Sequence, residues 1–174
     1  AKTYQAMGRL KDAEKYFQLA VDENPKNATS FYHYGLFLEE KGDKQRAIIS
    51  YRKALKLEKN IHAAYLPLGK LLEENGQLED AITQYTLGLK YDEKNPELHL
   101  ALGKLLLNSN DSSKSTFHLN KALSLIPENS QTRIEVSEIQ SVLGKAYLKN
   151  DNLDGAMKSY KKLVMINAEN AENQ

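Results

Sequence analysis

Four histidines, His33, His62, His99 and His118, are the side chains in this chain best suited to acid-base catalysis or metal ligation. A metal pair on one helix face needs ligands three or four residues apart, and these four are far more widely spread. The absence of cysteine removes thiolate ligands, thiol nucleophiles and disulfides together. No glycine loop that could cradle a phosphate and no nucleophile elbow occurs. The acidic residues fall mostly at helix starts and on polar faces, where solvation and the helix dipole account for them. We therefore expect no catalytic residue, no metal site and no cofactor.

What these side chains do depends on the elements that hold them, and the elements repeat. YGLFLEEKG at 34–42 is echoed by PLGKLLEENG at 67–76, ALGKLLLNSN at 101–110 and VLGKAYLKND at 142–151. Gly35, Gly69 and Gly103 are 34 residues apart, and Gly144 follows after 41. Ala13, Ala47, Ala81, Ser115 and Ala156 recur on the same period. Four residues after each come Phe17, Tyr51, Tyr85, Leu119 and Tyr160. A glycine inside a helix costs roughly 0.5–1 kcal/mol relative to alanine, so its recurrence asks for a packing reason. Close approach of two helix backbones supplies one. Gly42 and Gly76, and later Asn110 and Asp151, sit where a helix must end in a left-handed conformation.

This pattern resembles the tetratricopeptide repeat, a helix, a turn and a second helix, with Leu-Gly in the first helix and Ala, Phe or Tyr, and Ala in the second. The resemblance implies an all-α, right-handed α-solenoid of tandem helix-turn-helix repeats. We read 1–174 as a single domain: a partial repeat at 1–27, repeats at 28–61, 62–95 and 96–129, an insertion at 130–136, a repeat at 137–170 and a tail at 171–174. Tandem repeats pack on their neighbours, so length counts repeats rather than domains.

In this family the stacked first helices line a concave groove that holds a peptide. The resemblance therefore implies a non-catalytic protein-interaction scaffold, with self-assembly through its repeat ends as the alternative. The expected groove residues are Tyr32, His33 and Leu36, then Leu66 and Lys70, then Leu100, Lys104 and Leu107, then Lys145 and Leu148. Lys70, Lys104 and Lys145 occupy equivalent slots, which suggests an acidic partner peptide with aliphatic anchors. Glu73 and Glu74 are close enough to neutralise Lys70, so the C-terminal lysines are expected to be the freer ones, an excess that Glu97 and Glu138 temper. Some family members clamp the C-terminal carboxylate of heat-shock proteins with Lys and Asn in one repeat, Asn in the next, and Lys and Arg in the third. The matching positions here are Tyr32 and Leu36, Pro67, then Glu97 and Ala101, so that activity is not carried over.

With 24 basic and 23 acidic residues there is no overall charge bias toward nucleic acid or an anionic membrane, and no nucleic-acid partner is expected. No apolar run reaches the length of a membrane span, so no membrane insertion is expected. A chain without cysteine is stable in cytoplasm and periplasm alike. The compartment is left open, with the cytoplasm favoured. Residues 1–7 correspond to the second half of a first helix and nothing after Asn170 resembles a cap, which suggests a segment of a longer protein. Two departures from the pattern carry expectations. Pro67 should kink the helix it interrupts. The insertion should lengthen the next helix by about two turns from a start near Thr132.

Overall fold

The computed structural model describes residues 1–127 and 133–172, and every described regular element is helical. The chain divides into two compact units, 1–91 and 92–174. In the first, α1 (Lys2–Ala6) pairs with α2 (Leu10–Glu23), α3 (Ala28–Glu40) with α4 (Lys44–Leu57), and α5 (Tyr65–Glu74) with α6 (Leu78–Tyr91). In the second, α7 (Pro96–Asn108) pairs with α8 (Ser112–Leu125) and α9 (Arg133–Lys149) with α10 (Leu153–Glu172). Successive pairs pack through α2 on α3 and α4 on α5 in the first unit, and through α8 on α9 in the second.

Local chemistry fixes the helix ends. Asn27, Asp43, Asn95 and Asp111 each accept a hydrogen bond from the backbone N–H three residues on, satisfying a donor that the first turn leaves free. The turns inside the helix pairs need a left-handed residue, and Gly42 (φ 86°), Gly76 (φ 75°), Asn110 (φ 61°) and Asp151 (φ 55°) supply it. These are the positions read from the sequence.

The helix-interior glycines answer to packing. A Cβ on Gly35 would lie 2.7 Å from the Tyr51 ring, and one on Gly103 would lie 2.8 Å from Leu119 Cγ. Gly69 faces Tyr85 and Gly144 faces Tyr160 in the same way, always the residue sixteen positions on. Each glycine thus opens the first helix to the large side chain of its partner helix. Around those contacts the first unit buries Phe17, Phe37, Leu38, Tyr51, Leu72 and Tyr85. The second buries Leu119, Ala122, Ile139, Leu143 and Ala146 as one cluster.

Pro67 does not fall in the helix interior, as the expected kink assumed. Residues His62–Ala64 form a 3-10 turn, α5 starts only at Tyr65, and Pro67 is its third residue. The N–H that proline lacks is one that a first turn does not use. The helix therefore starts late and needs no bend. The lengthened helix does form, running unbroken through Ser137 from Arg133. Its 17 described residues exceed the 13 of α3 and α7 by about one turn. The proposed start near Thr132 and its capping box with Glu135 lie outside the described residues and side chains.

Candidate partner-binding surfaces

On the first-helix side of the first unit, a groove of about 580 Å³ opens beside α1 and α3, lined by Lys2, Gln5, Ala6, His33, Leu36 and Glu40 over Phe17. Helical spacing places His33, Leu36 and Glu40 on one stripe of α3, three and four residues apart. Leu36 is exposed there, while Phe17 is buried beneath. Lys2 Nζ donates to His33 Nε2 at 3.3 Å, and burial together with that ammonium holds the His33 imidazole below its ordinary pKa. Gln5 donates to Glu40. The groove is thus an apolar floor with one cation, one carboxylate and a neutral imidazole on its rim.

Tyr32 is half-buried, its ring tilted against Tyr51 and His33, so it supports the groove more than it lines it. Tyr51 and Tyr85, both fully buried, donate to Glu39 and Glu73 and tie those carboxylates to the helix pair. Burial, followed by these carboxylates, raises both phenols. Glu73 is therefore engaged by Tyr85, and Glu74 pairs with Lys44 at 2.8 Å. Lys70 is exposed and, among the described residues, has no ion-pair partner. Leu66, one turn earlier on α5, is half-buried.

In the second unit Lys104 Nζ meets Glu138 Oε1 at 2.6 Å, joining α7 to α9. The expected order of free charge thus fails for Lys104, which Glu138 takes, and for Lys70, whose glutamate neighbours are engaged elsewhere. Lys145 is exposed, without an ion pair among the described residues, and Leu148 beside it is 46% exposed. Leu100 is half-buried against the core. Leu107 is only 6% exposed and packs with Leu119, Ile139 and Leu143, so its expected place on the open face is corrected to the core. The extra apolar residue in LLLN closes the α7 to α8 and α9 contact.

The structure also joins residues that their sequence spacing separates. His99 and His118 meet across α7 and α8 with Nδ1 atoms 2.9 Å apart, and His99 Nε2 lies 3.0 Å from the Glu93 carbonyl. If Nε2–H donates to that carbonyl, His99 Nδ1 accepts, and His118 Nδ1–H donates to it. Both rings are then neutral. Burial holds both below the ordinary imidazole value, His118 down to about 4, with His99 adding to its shift. His99 is accordingly a packed, hydrogen-bonded ring. Among the described residues no cluster of three His, Asp or Glu side chains could hold a metal ion, and no helix is long and apolar enough to cross a membrane.

Paired helices that repeat the same contact of an interior glycine with a large side chain sixteen residues on define a tandem helical-hairpin repeat protein. The family models agree on which. "Tetratricopeptide repeat" matches 96–129 and 137–170, "TPR repeat" matches 69–110, and the "Cilia and flagella-associated protein 70 middle TPR-like domain" matches 1–84. The chain belongs to the tetratricopeptide repeat family and has its all-α solenoid fold. A curated relative, human Protein IFIT1 homolog B, is 38% identical over 68 residues, 36% of this chain and 14% of the relative's length. Among solved structures, MamA superposes with a TM-score of 0.84 at 18% identity, covering 98% of this chain and 95% of that one. YrrB, described as "a TPR protein with an unusual peptide-binding site", gives 0.80 at 18% identity, covering 95% and 81%. The Yersinia enterocolitica type III secretion chaperone SycD, solved with a peptide of the translocator YopD, gives 0.64 at 21% identity, covering 70% and 93%.

Proposed function

We propose that this chain is a non-catalytic protein-interaction scaffold that takes a partner peptide on the faces of its first helices. The observation that carries this reading is the open groove beside α1 and α3, where exposed Leu36 lies over buried Phe17 between ionic and polar rim residues. Peptide pockets combine an apolar floor with a few placed polar groups in this way. Two structurally similar proteins have peptide binding in their descriptions, which supports the reading at the level of the fold. Several titratable groups are tied into the scaffold, Glu39 and Glu73 to tyrosines and His99 to His118. The preferred partner is an acidic peptide with aliphatic anchors; the cation that would meet its carboxylates is Lys70 on the first unit and, for a peptide taken by the second unit, Lys145.

Selection of random displayed peptides on the immobilised protein tests this. Enriched sequences should carry aliphatic residues beside carboxylates. Leu36→Glu and Leu148→Glu should each reduce retention about tenfold, the loss of one anchor, with unchanged circular dichroism. Equal retention by both variants would place the binding surface elsewhere.

A second reading, self-assembly, has its own support in α10. Met157 and Val164 stand 65% and 66% exposed, whereas Ile48 and Leu55, the residues in the same slots of α4, are 4% and 8% exposed. In α4 that stripe lies against the next helix pair. In α10 an apolar stripe faces outward.

A further inference from the structure

The first unit carries a second recess, on the side of its second helices, where α4 and α6 flank Tyr65 and Leu68 of α5. It encloses about 290 Å³, a space of roughly ten waters at ~30 Å³ each, which is the scale of one or two side chains. Its floor is Leu55 and Leu68, both buried, and Leu87 forms an exposed edge. Tyr65 and Tyr91 stack across one wall with ring centroids 5.7 Å apart. Around this apolar interior stand Arg52, Lys56, Lys59 and Lys90, and no carboxylate lines it.

The charge is local, since the whole chain carries a formal net charge of only +1. Helix α4 has five cations and no acid. Three of the five are spoken for by carboxylates outside the recess: Lys44 by Glu74, Arg46 by Glu14 and Asp43, and Arg52 by Asp80. Lys56, Lys59 and Lys90 have no ion-pair partner among the described residues. Lys56 and Lys90 fall in the last turns of α4 and α6, where a cation offsets the helix dipole. The dipole does not account for Lys59, which lies beyond the helix, nor for the apolar opening that all three surround.

We propose that this recess is a second docking site, which accepts an acidic segment of a partner protein by seating one aliphatic side chain on Leu55 and Leu68 while flanking carboxylates meet Lys56, Lys59 and Lys90. It is separate from the groove beside α1 and α3 and does not depend on it. Charge complementarity selects the sign of the occupant. The concave apolar floor selects a peptide over a lipid face, which would touch only the rim, and over a phosphodiester strand, which has no aliphatic group to seat.

Fluorescence anisotropy with a labelled peptide holding one leucine between pairs of glutamates tests the assignment on the full chain. Wild type should bind it, and replacing the leucine by glycine should weaken binding about tenfold or more, as should Lys56→Glu with Lys90→Glu. Lys56→Gln with Lys90→Gln should give a smaller loss in the same direction and guards against misfolding of the reversed variant. Lys56→Glu with Lys90→Glu should give the same fold loss in a Leu36→Glu background as in wild type, which separates failure here from failure of the first site. Absence of binding to wild type, or equal binding by both double variants, would overturn the proposal. So would tighter binding of oligothymidylate or phosphatidylserine vesicles, lost in the same variants, which would assign the recess to nucleic acid or membrane instead.

Discussion

His99 and His118 show how a single contact can make a scaffold sensitive to acid. In the folded chain both imidazoles are held neutral by burial, with Phe117 edge-on to His118, and Lys121 adding to the downward shift of His99. The unfolded chain takes up its proton near the ordinary value of 6.5, while folded His118 waits until about 4. Between those values the unfolded state binds more protons, so stability contributed by the pair is complete above pH 6.5 and falls as pH drops toward 4. Urea midpoints measured across that interval should decline, and the decline should flatten in His118→Gln, which keeps an amide donor for His99. A decline of the same size in the variant would assign the pH dependence to other groups. At this scale the sequence revealed slots and not neighbours. That His99 takes an aromatic position was legible; that its partner is His118 was not, because nineteen residues and a turn separate them.

At the scale of helices, the repeat pattern identified which residues close each pair, and the coordinates supply the contact. Gly103 faces Leu119 Cγ so closely that a Cβ alone would sit at 2.8 Å, so Gly103→Leu should overpack the α7 to α8 contact and cost about 1–3 kcal/mol in chemical denaturation. A neutral result would contradict that contact. Pro67 was misjudged because the period of the repeat implied a helix start at 62, whereas His62–Ala64 form a 3-10 turn. A period places a helix; its first turn is set by local capping, and no Asn or Asp cap stands before Tyr65 as one does before α3, α4, α7 and α8. Leu107 was misplaced for a related reason. A three-leucine run gives no phase, and here all three leucines are buried, Leu107 in the cluster that includes Ile139 and Leu143 of α9. The basic recess beside α4 and α6 did leave a trace, in the five cations of α4, but its apolar floor comes from α5.

For the molecule as a whole, family and fold were readable from spacing, while the division at 91–92 was not, since Gly69 and Gly103 keep their 34-residue step across it. The whole-chain charge balance was likewise uninformative about surfaces, because it sums over a cationic α4 and an acidic remainder. The apolar stripe of α10 bears on the state of the molecule in solution. Burying such a stripe between copies is favourable at roughly 25 cal/mol per Å² of apolar surface. Light scattering should therefore show mass rising with concentration for wild type, and less so for Val164→Glu. A concentration-independent monomer in both would remove self-assembly as a reading.

The sixteen-residue step from each interior glycine to its facing side chain also bears on how fast the chain can acquire its structure. Closing a loop of that length costs about 2.5 kcal/mol of chain entropy beyond a constant, taking three-halves RT times the logarithm of sixteen. The decisive contact in each of the four pairs from α3 to α10 is thus a short-range one, the condition under which small domains fold in microseconds to milliseconds. A chain leaving the ribosome can set Gly35 against Tyr51 before Gly69 has emerged from the exit tunnel. Each completed hairpin then offers its neighbour a template, so assembly can follow the order of synthesis, without waiting for the last residue.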